Sequence, residues 1–190
     1  MAKRITGTYG AGSNWSKAGT DVASSAEGTA ASMGAEAVAI GDNTTAAGDV
    51  SLSVIDRGRV TTVRGDATAS ATADGGGTYA AASTYADVDG ADFVVTRTVR
   101  GSTDGAATST TKVFAIAIDG FDLPHGPIEI NTVHDVPVRG PRPGSIDGNL
   151  AHISASATAA GDASITLTQT HSLTTDDYSY VAGDAYSMIG

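Results

Sequence analysis

The chain has no cysteine, few large aliphatic residues and few positive charges. Without Cys there is no disulfide, no thiol nucleophile and no cysteine-based zinc site. Leu, Ile, Val and Phe together make only 34 of the 190 residues. Fractions that low, joined to a high net charge, mark disordered chains. The net charge here is −10 over 190 residues, so patterning has to decide. Lys and Arg number 11 against 21 Asp and Glu, which argues against a nucleic-acid partner, since that needs a basic face. No apolar run approaches the roughly 18 residues of a membrane helix, so no membrane insertion is expected. No basic-then-apolar leader opens the chain at Met1-Ala2-Lys3-Arg4. The expectation is a protein made soluble; if it reaches the exterior, it goes by a route without a cleaved N-terminal signal, by cell lysis, or with a signal not included in this sequence.

Positive charge is also unevenly placed. After Arg142 no Lys or Arg remains, while Asp147, Asp162, Asp176, Asp177 and Asp184 follow. The first twenty residues carry Lys3, Arg4 and Lys17 and no acid. One reading is a solubilising bias; the sharper one is a basic head that meets the acidic tail of the next copy.

What the sequence has in quantity is turn signals and alternation. Asp-Gly falls at Asp74-Gly75, Asp89-Gly90, Asp104-Gly105 and Asp119-Gly120, fifteen residues apart each time. Asp-Gly is a strong hairpin signal because both central residues of a type I′ turn need positive φ. Between these turns the period is two. Ala67, Ala69, Ala71 and Ala73 share a face, as do Phe93, Val95 and Val99, and again Phe114, Ile116 and Ile118. This predicts four long strands over 60–118, read as an antiparallel meander. Ile153 to Ala159 and Ala163 to Leu167 alternate likewise about Gly161-Asp162, predicting a C-terminal hairpin over 150–173.

All five prolines lie between Pro124 and Pro143. Proline cannot donate to a ladder, so 124–144 is expected to be a crossover with short edge strands near 128–133 and 136–139. Residues 1–30 are Gly/Ser/Thr/Ala-rich and unpatterned, which predicts a flexible N-terminal arm before a single domain at 31–190. A short helix within Ala-rich 21–40 is opposed by Gly28 and Gly34. The fold class expected is all-β, an antiparallel meander or β-sandwich of long strands with that arm.

Residues Ala37-Val38-Ala39-Ile40-Gly41, then Ala46-Ala47-Gly48-Asp49 and Ser51-Leu52-Ser53-Val54, resemble one head repeat of trimeric autotransporter adhesins, repeats also found in phage fibres. The second half departs from the pattern, having Ser-Leu-Ser-Val where the family shows an apolar pair and then Gly. The repeat occurs once. The resemblance implies a fibrous, surface-exposed protein, and in that family such repeats build trimeric β-rolls.

Other motifs are better explained by structure. Arg64-Gly65-Asp66 spells an integrin-binding tripeptide but lies within a predicted strand. His125, His134, His152 and His171 lack the close spacing of a zinc site, and His134-Asp135 has no nucleophile motif beside it. Asp87, Asp89 and Asp92 are the candidate calcium ligands, although calcium wants six to eight oxygens from a shaped loop and turn chemistry accounts for these residues. Thr-x-Thr pairs such as Thr96/Thr98 invite comparison with ice-binding ladders, but Thr favours strands in any case.

No catalytic constellation stands out, so no enzyme is expected. Strands of about a dozen residues with small side chains on both faces bury little apolar area alone. They also leave long edges that invite another strand. The expected partners are therefore copies of the same chain, joined by strand addition or arm exchange into an extracellular filament or surface fibre. The candidate assembly residues are Lys3, Arg4, Phe93, Arg97, Phe114, Ile116, Asp162, Asp176 and Asp177. The rival expectations are a virion fibre or decoration protein, and a secreted binding module for glycan, calcium or ice.

Overall fold

The period-two alternation becomes ten strands in the computed structural model, which describes residues 28–121, 123–124, 126–140 and 148–190. They are β1 (Thr29–Ile40), β2 (Asn43–Asp56), β3 (Val60–Asp74), β4 (Tyr79–Asp89), β5 (Phe93–Thr103), β6 (Ala106–Ile118), β7 (Ile128–Asp135), β8 (Asn149–Ala160), β9 (Ser164–Thr175) and β10 (Tyr178–Ile189). They form two sheets. One has four strands in the order β4-β1-β10-β9 and the other six in the order β7-β5-β6-β3-β2-β8. Pairing is antiparallel except for β2 with β8 and β5 with β7. The first and last strands are zipped together, Thr29 opposite Ile189 and Ile40 opposite Tyr178.

The sheets stack with their smallest side chains inward. Ala31, Ala35, Ala37 and Ala39 of β1 face Ala67, Ala69, Ala71 and Ala73 of β3 and Ala46, Val50, Leu52 and Val54 of β2 in one core. Met33 is the largest fully buried side chain, and its sulfur lies where a Cβ on Gly65 would sit. That glycine is the socket for the one bulky residue of the inner face of β1. Polar residues in the inter-sheet gap satisfy one another. The Thr84 hydroxyl reaches Ser109 and Thr111 at 2.7 Å each, and Thr111 reaches Thr98 at 2.9 Å. Thr44 and Ser179, both buried, pair across the sheets at 2.7 Å.

Several expectations are corrected. The four strands over 60–118 exist, but they are not a meander. β4 belongs to the other sheet, and β3 pairs with β6. The glycines of the four regularly spaced Asp-Gly pairs do adopt positive φ, between 72° and 77°, as does Gly148 after Asp147 at 81°, yet only Asp104-Gly105 closes a tight hairpin, with Thr103 opposite Ala106. The turns after β3 and β4 carry the chain between sheets. The 150–173 hairpin is also overturned: β8 and β9 lie in different sheets and do not pair. The Ala-rich stretch forms strand β1 from Thr29, not a helix; residues 1–27 lie outside the described residues. Of the two short edge strands expected in the crossover, 128–135 is one and 136–139 is not, because Pro137 breaks the ladder after the Val136 amide bonds Arg100. The repeat-like residues 37–54 end β1 and fill β2, strands of opposite sheets, so they form no β-roll.

Candidate assembly surfaces

Among the described residues strand order leaves four free edges, and the two at one side of the sandwich are alike. β8 ends the six-stranded sheet and β9 the four-stranded one. They are joined by the short turn at 161–163, so both open on the same side. Neither strand contains an Asp, Glu, Lys or Arg. Every residue of β9 is exposed. Its inner row is Ser164, Thr166, Thr168, Thr170, Ser172 and Thr174, opposite the buried row of β10. Its outer row holds Ile165, Leu167 and Leu173, which are 55%, 57% and 52% exposed.

The opposite side is guarded. β7 has only eight residues, between Pro127 and Pro137, and carries Glu129 and Asp135. Asp135 accepts from Arg100 Nε at 2.8 Å. β4 carries Asp87 and Asp89. Charge, proline and brevity are the usual defences of an edge, and the β8/β9 side has none of them.

The outer face of the four-stranded sheet carries every described tyrosine. The register places Tyr79 of β4 and Tyr178 of β10 on either side of Ile40, and Tyr85 and Asp184 on either side of Gly34. Tyr180 and Tyr186 continue the β10 row. A Cβ at Gly34 would strike the Tyr85 ring, so this glycine lets the ring lie on the sheet and its hydroxyl donate to Asp184 at 2.9 Å. Burial, then Asp184, raises the Tyr85 pKa far above the usual phenol value. Tyr178 and Tyr180 stack with centroids 6.4 Å apart. The face is acidic as well as aromatic. Glu36, Asp87, Asp89 and Asp184 all point outward, and the four strands contain no Lys or Arg. Burial, then Asp184, raises the Glu36 pKa.

The outer face of the six-stranded sheet has the contrary character at its β7 end. Adjacent rows run Ile128, Phe93, Ile116; then Ile130, Val95, Phe114, Arg64; then Thr132, Arg97, Lys112, Asp66. Arg64 sits over the Phe114 ring at 5.6 Å, a favourable cation–π placement. Lys112 pairs with Asp66 at 2.6 Å. Phe121 stacks on Phe93 at 6.2 Å. A shallow depression of about 470 Å³ opens here, lined among others by Ser51, Arg64, Asp66, Lys112 and Phe114.

Of the sequence-predicted assembly residues, Phe93, Arg97, Phe114 and Ile116 come together in this band. Asp162 stands in the β8–β9 turn and Asp176 and Asp177 in the β9–β10 turn, at opposite ends of β9, so the three acids share no patch. Lys3 and Arg4 lie outside the described residues. Asp87 and Asp89 lie on the tyrosine face, while the Asp92 carboxylate accepts the Ile118 amide at 2.7 Å. Among the described residues no three His, Cys, Asp or Glu are grouped to hold a metal ion. Arg64-Gly65-Asp66 lies within β3, its glycine beneath Met33. The sequence reading missed the tyrosine face and the exposed Ile165, Leu167 and Leu173. The alternation of Tyr178, Tyr180 and Tyr186 with Ser179 and Ser187 was the available signal. Comparison with family models, curated proteins and solved structures returns no match for this chain.

Proposed function

We propose that this chain is a non-enzymatic structural protein that assembles with copies of itself, the unit of a filament or fibre being a pair joined by strand addition at the β8/β9 side. The carrying observation is that two twelve-residue edge strands open on one side of the sandwich without a charged side chain between them. An unprotected edge offers unpaired N–H and C=O groups to another strand, and long charge-free edges are what single-molecule proteins avoid. A two-fold axis normal to the sheets would set β9 antiparallel to β9 of a second copy and β8 antiparallel to β8, extending both sheets at once. Leu167 and its apolar neighbours would then meet their own counterparts across the seam, as an isologous contact requires.

The test is negative-stain electron microscopy with analytical ultracentrifugation of the full chain over a range of concentration. The expected result is edge-joined pairs or wider particles, whose half-association concentration rises about tenfold or more in Thr168→Lys/Thr170→Lys. Both residues are exposed, so the melting temperature should hold. A wild-type chain that stays a monomer at every concentration would sink the reading.

A further inference from the structure

We infer that the acidic tyrosine face of the four-stranded sheet docks on the basic aromatic band of the six-stranded sheet of a second copy, so that sandwiches also stack face to face. The inference rests on the self-assembly reading but uses faces, not edges. The two surfaces lie on opposite sides of one molecule and cannot meet within it. One presents Glu36, Asp87, Asp89 and Asp184, with no Lys or Arg in its four described strands. The other presents Arg64, Arg97 and Lys112, with Asp66 the acid in those rows. Acidic face on acidic face would repel, whereas acidic on basic attracts. The contact is therefore heterologous, and repeated by every copy it runs on without closing. Edge pairing about a two-fold closes after two copies. Face stacking supplies the direction of growth.

Size and relief fit a sheet-on-sheet contact. Strands of eleven or twelve residues at about 3.3 Å per residue, four of them about 4.8 Å apart, give roughly 40 by 19 Å. That is near the roughly 800 Å² each partner contributes to a stable interface. Tyr85 is laid against the sheet by Gly34, which keeps the face low. Apolar surface is exposed on both sides, with Ile40, Tyr79 and Leu167 on one and Val95, Phe114, Ile128 and Ile130 on the other. Arg beside aromatic rings is the composition of interface centres.

The test uses two charge-reversed full chains, Glu36→Lys/Asp87→Lys and Arg64→Glu/Arg97→Glu, all four positions being exposed. Each alone should keep the wild-type melting temperature and stop at edge-joined pairs, with elongated particles lost. An equimolar mixture should regain elongation, because each reversed face then meets an opposite charge on the other protein. Elongated wild-type particles should shorten as salt is raised. Reversed chains that elongate like wild type, while Thr168→Lys/Thr170→Lys disperses the particles, would overturn the stacking and leave edge assembly standing. Binding of a neutral oligosaccharide by the tyrosine rows, with reversal leaving elongation unchanged, would overturn it in favour of a glycan site. A monomeric wild type would overturn both proposals.

Discussion

At the scale of single residues, the core is governed by smallness. Its rows are mostly Ala and Val, and one methionine is accommodated only because a glycine faces it. Gly65 has no strained backbone to justify it, since its φ is not among the positive ones, and glycine weakens a strand. What justifies it is Met33: a Cβ at Gly65 would meet the Met33 sulfur, with Val113 Cγ1 at 3.1 Å and the Ser51 carbonyl at 3.2 Å behind it. Gly65→Ala should therefore destabilise by about 1–3 kcal/mol through overpacking. Met33→Ala should cost about 2–5 kcal/mol through the cavity it leaves. The double variant should cost less than the two singles together, since the added methyl enters the vacated space. Urea denaturation of the four proteins checks this. Strict additivity would mean the two residues do not share that space.

At the scale of elements, what was legible was where strands β3 to β9 lie; what was not was the strand character of β1, β2 and β10, and which sheet each strand joins. β3 to β6, β8 and β9 alternate small with polar or apolar with polar, and Asp-Gly marks the ends of β3, β4, β5 and β6. The destination of a chain leaving an Asp-Gly turn depends on what it packs on next. After Asp74, Gly75 and Gly76 both take positive φ and the chain crosses to the other sheet, whereas after Asp104 it returns beside β5. β1 was obscured because Ala30 outside and Ala31 inside are the same residue type. β10 was obscured by inversion, its large Tyr residues facing outward and Ser179, Ala185 and Ser187 inward. The band of Phe93, Arg97, Phe114 and Ile116 was found because each strand showed it separately. The tyrosine face needed β10 to be placed beside β1. Elements also differ in how firmly they are held. β7 is exposed along its whole length and pairs only with β5, whereas β1 and β3 are paired on both sides and buried on alternate residues. Hydrogen exchange should show β7 amides among the fastest of the strands and β1 and β3 amides the slowest. β7 amides protected as well as those of β3, in a monomeric sample, would contradict this reading of the edge.

At the scale of the whole molecule, the topology ties the first and last described strands together. β10 lies between β1 and β9 and pairs along its full length with both. It also supplies buried Val181, Ala185 and Ile189 to the common core and Ser179 to the cross-sheet pair with Thr44. Until it arrives, β9 has no partner and β1 has only β4. Pairings so distant along the chain make the loop-closure cost come before the contacts that offset it, so refolding of the full chain should take about milliseconds to seconds. For the same reason the sandwich cannot be completed in part. A chain ending at Asp177 keeps nine strands, yet it leaves β2 and β8 with an uncovered apolar face, β1 with a bare edge and β9 unattached. It should lose cooperative melting by circular dichroism and aggregate through the same uncharged β8 and β9 edges. A truncated chain that still melts in one sharp transition would show that the six-stranded sheet and β4-β1 are stable alone. In that case β10 would be an addition to the fold and not its closing strand.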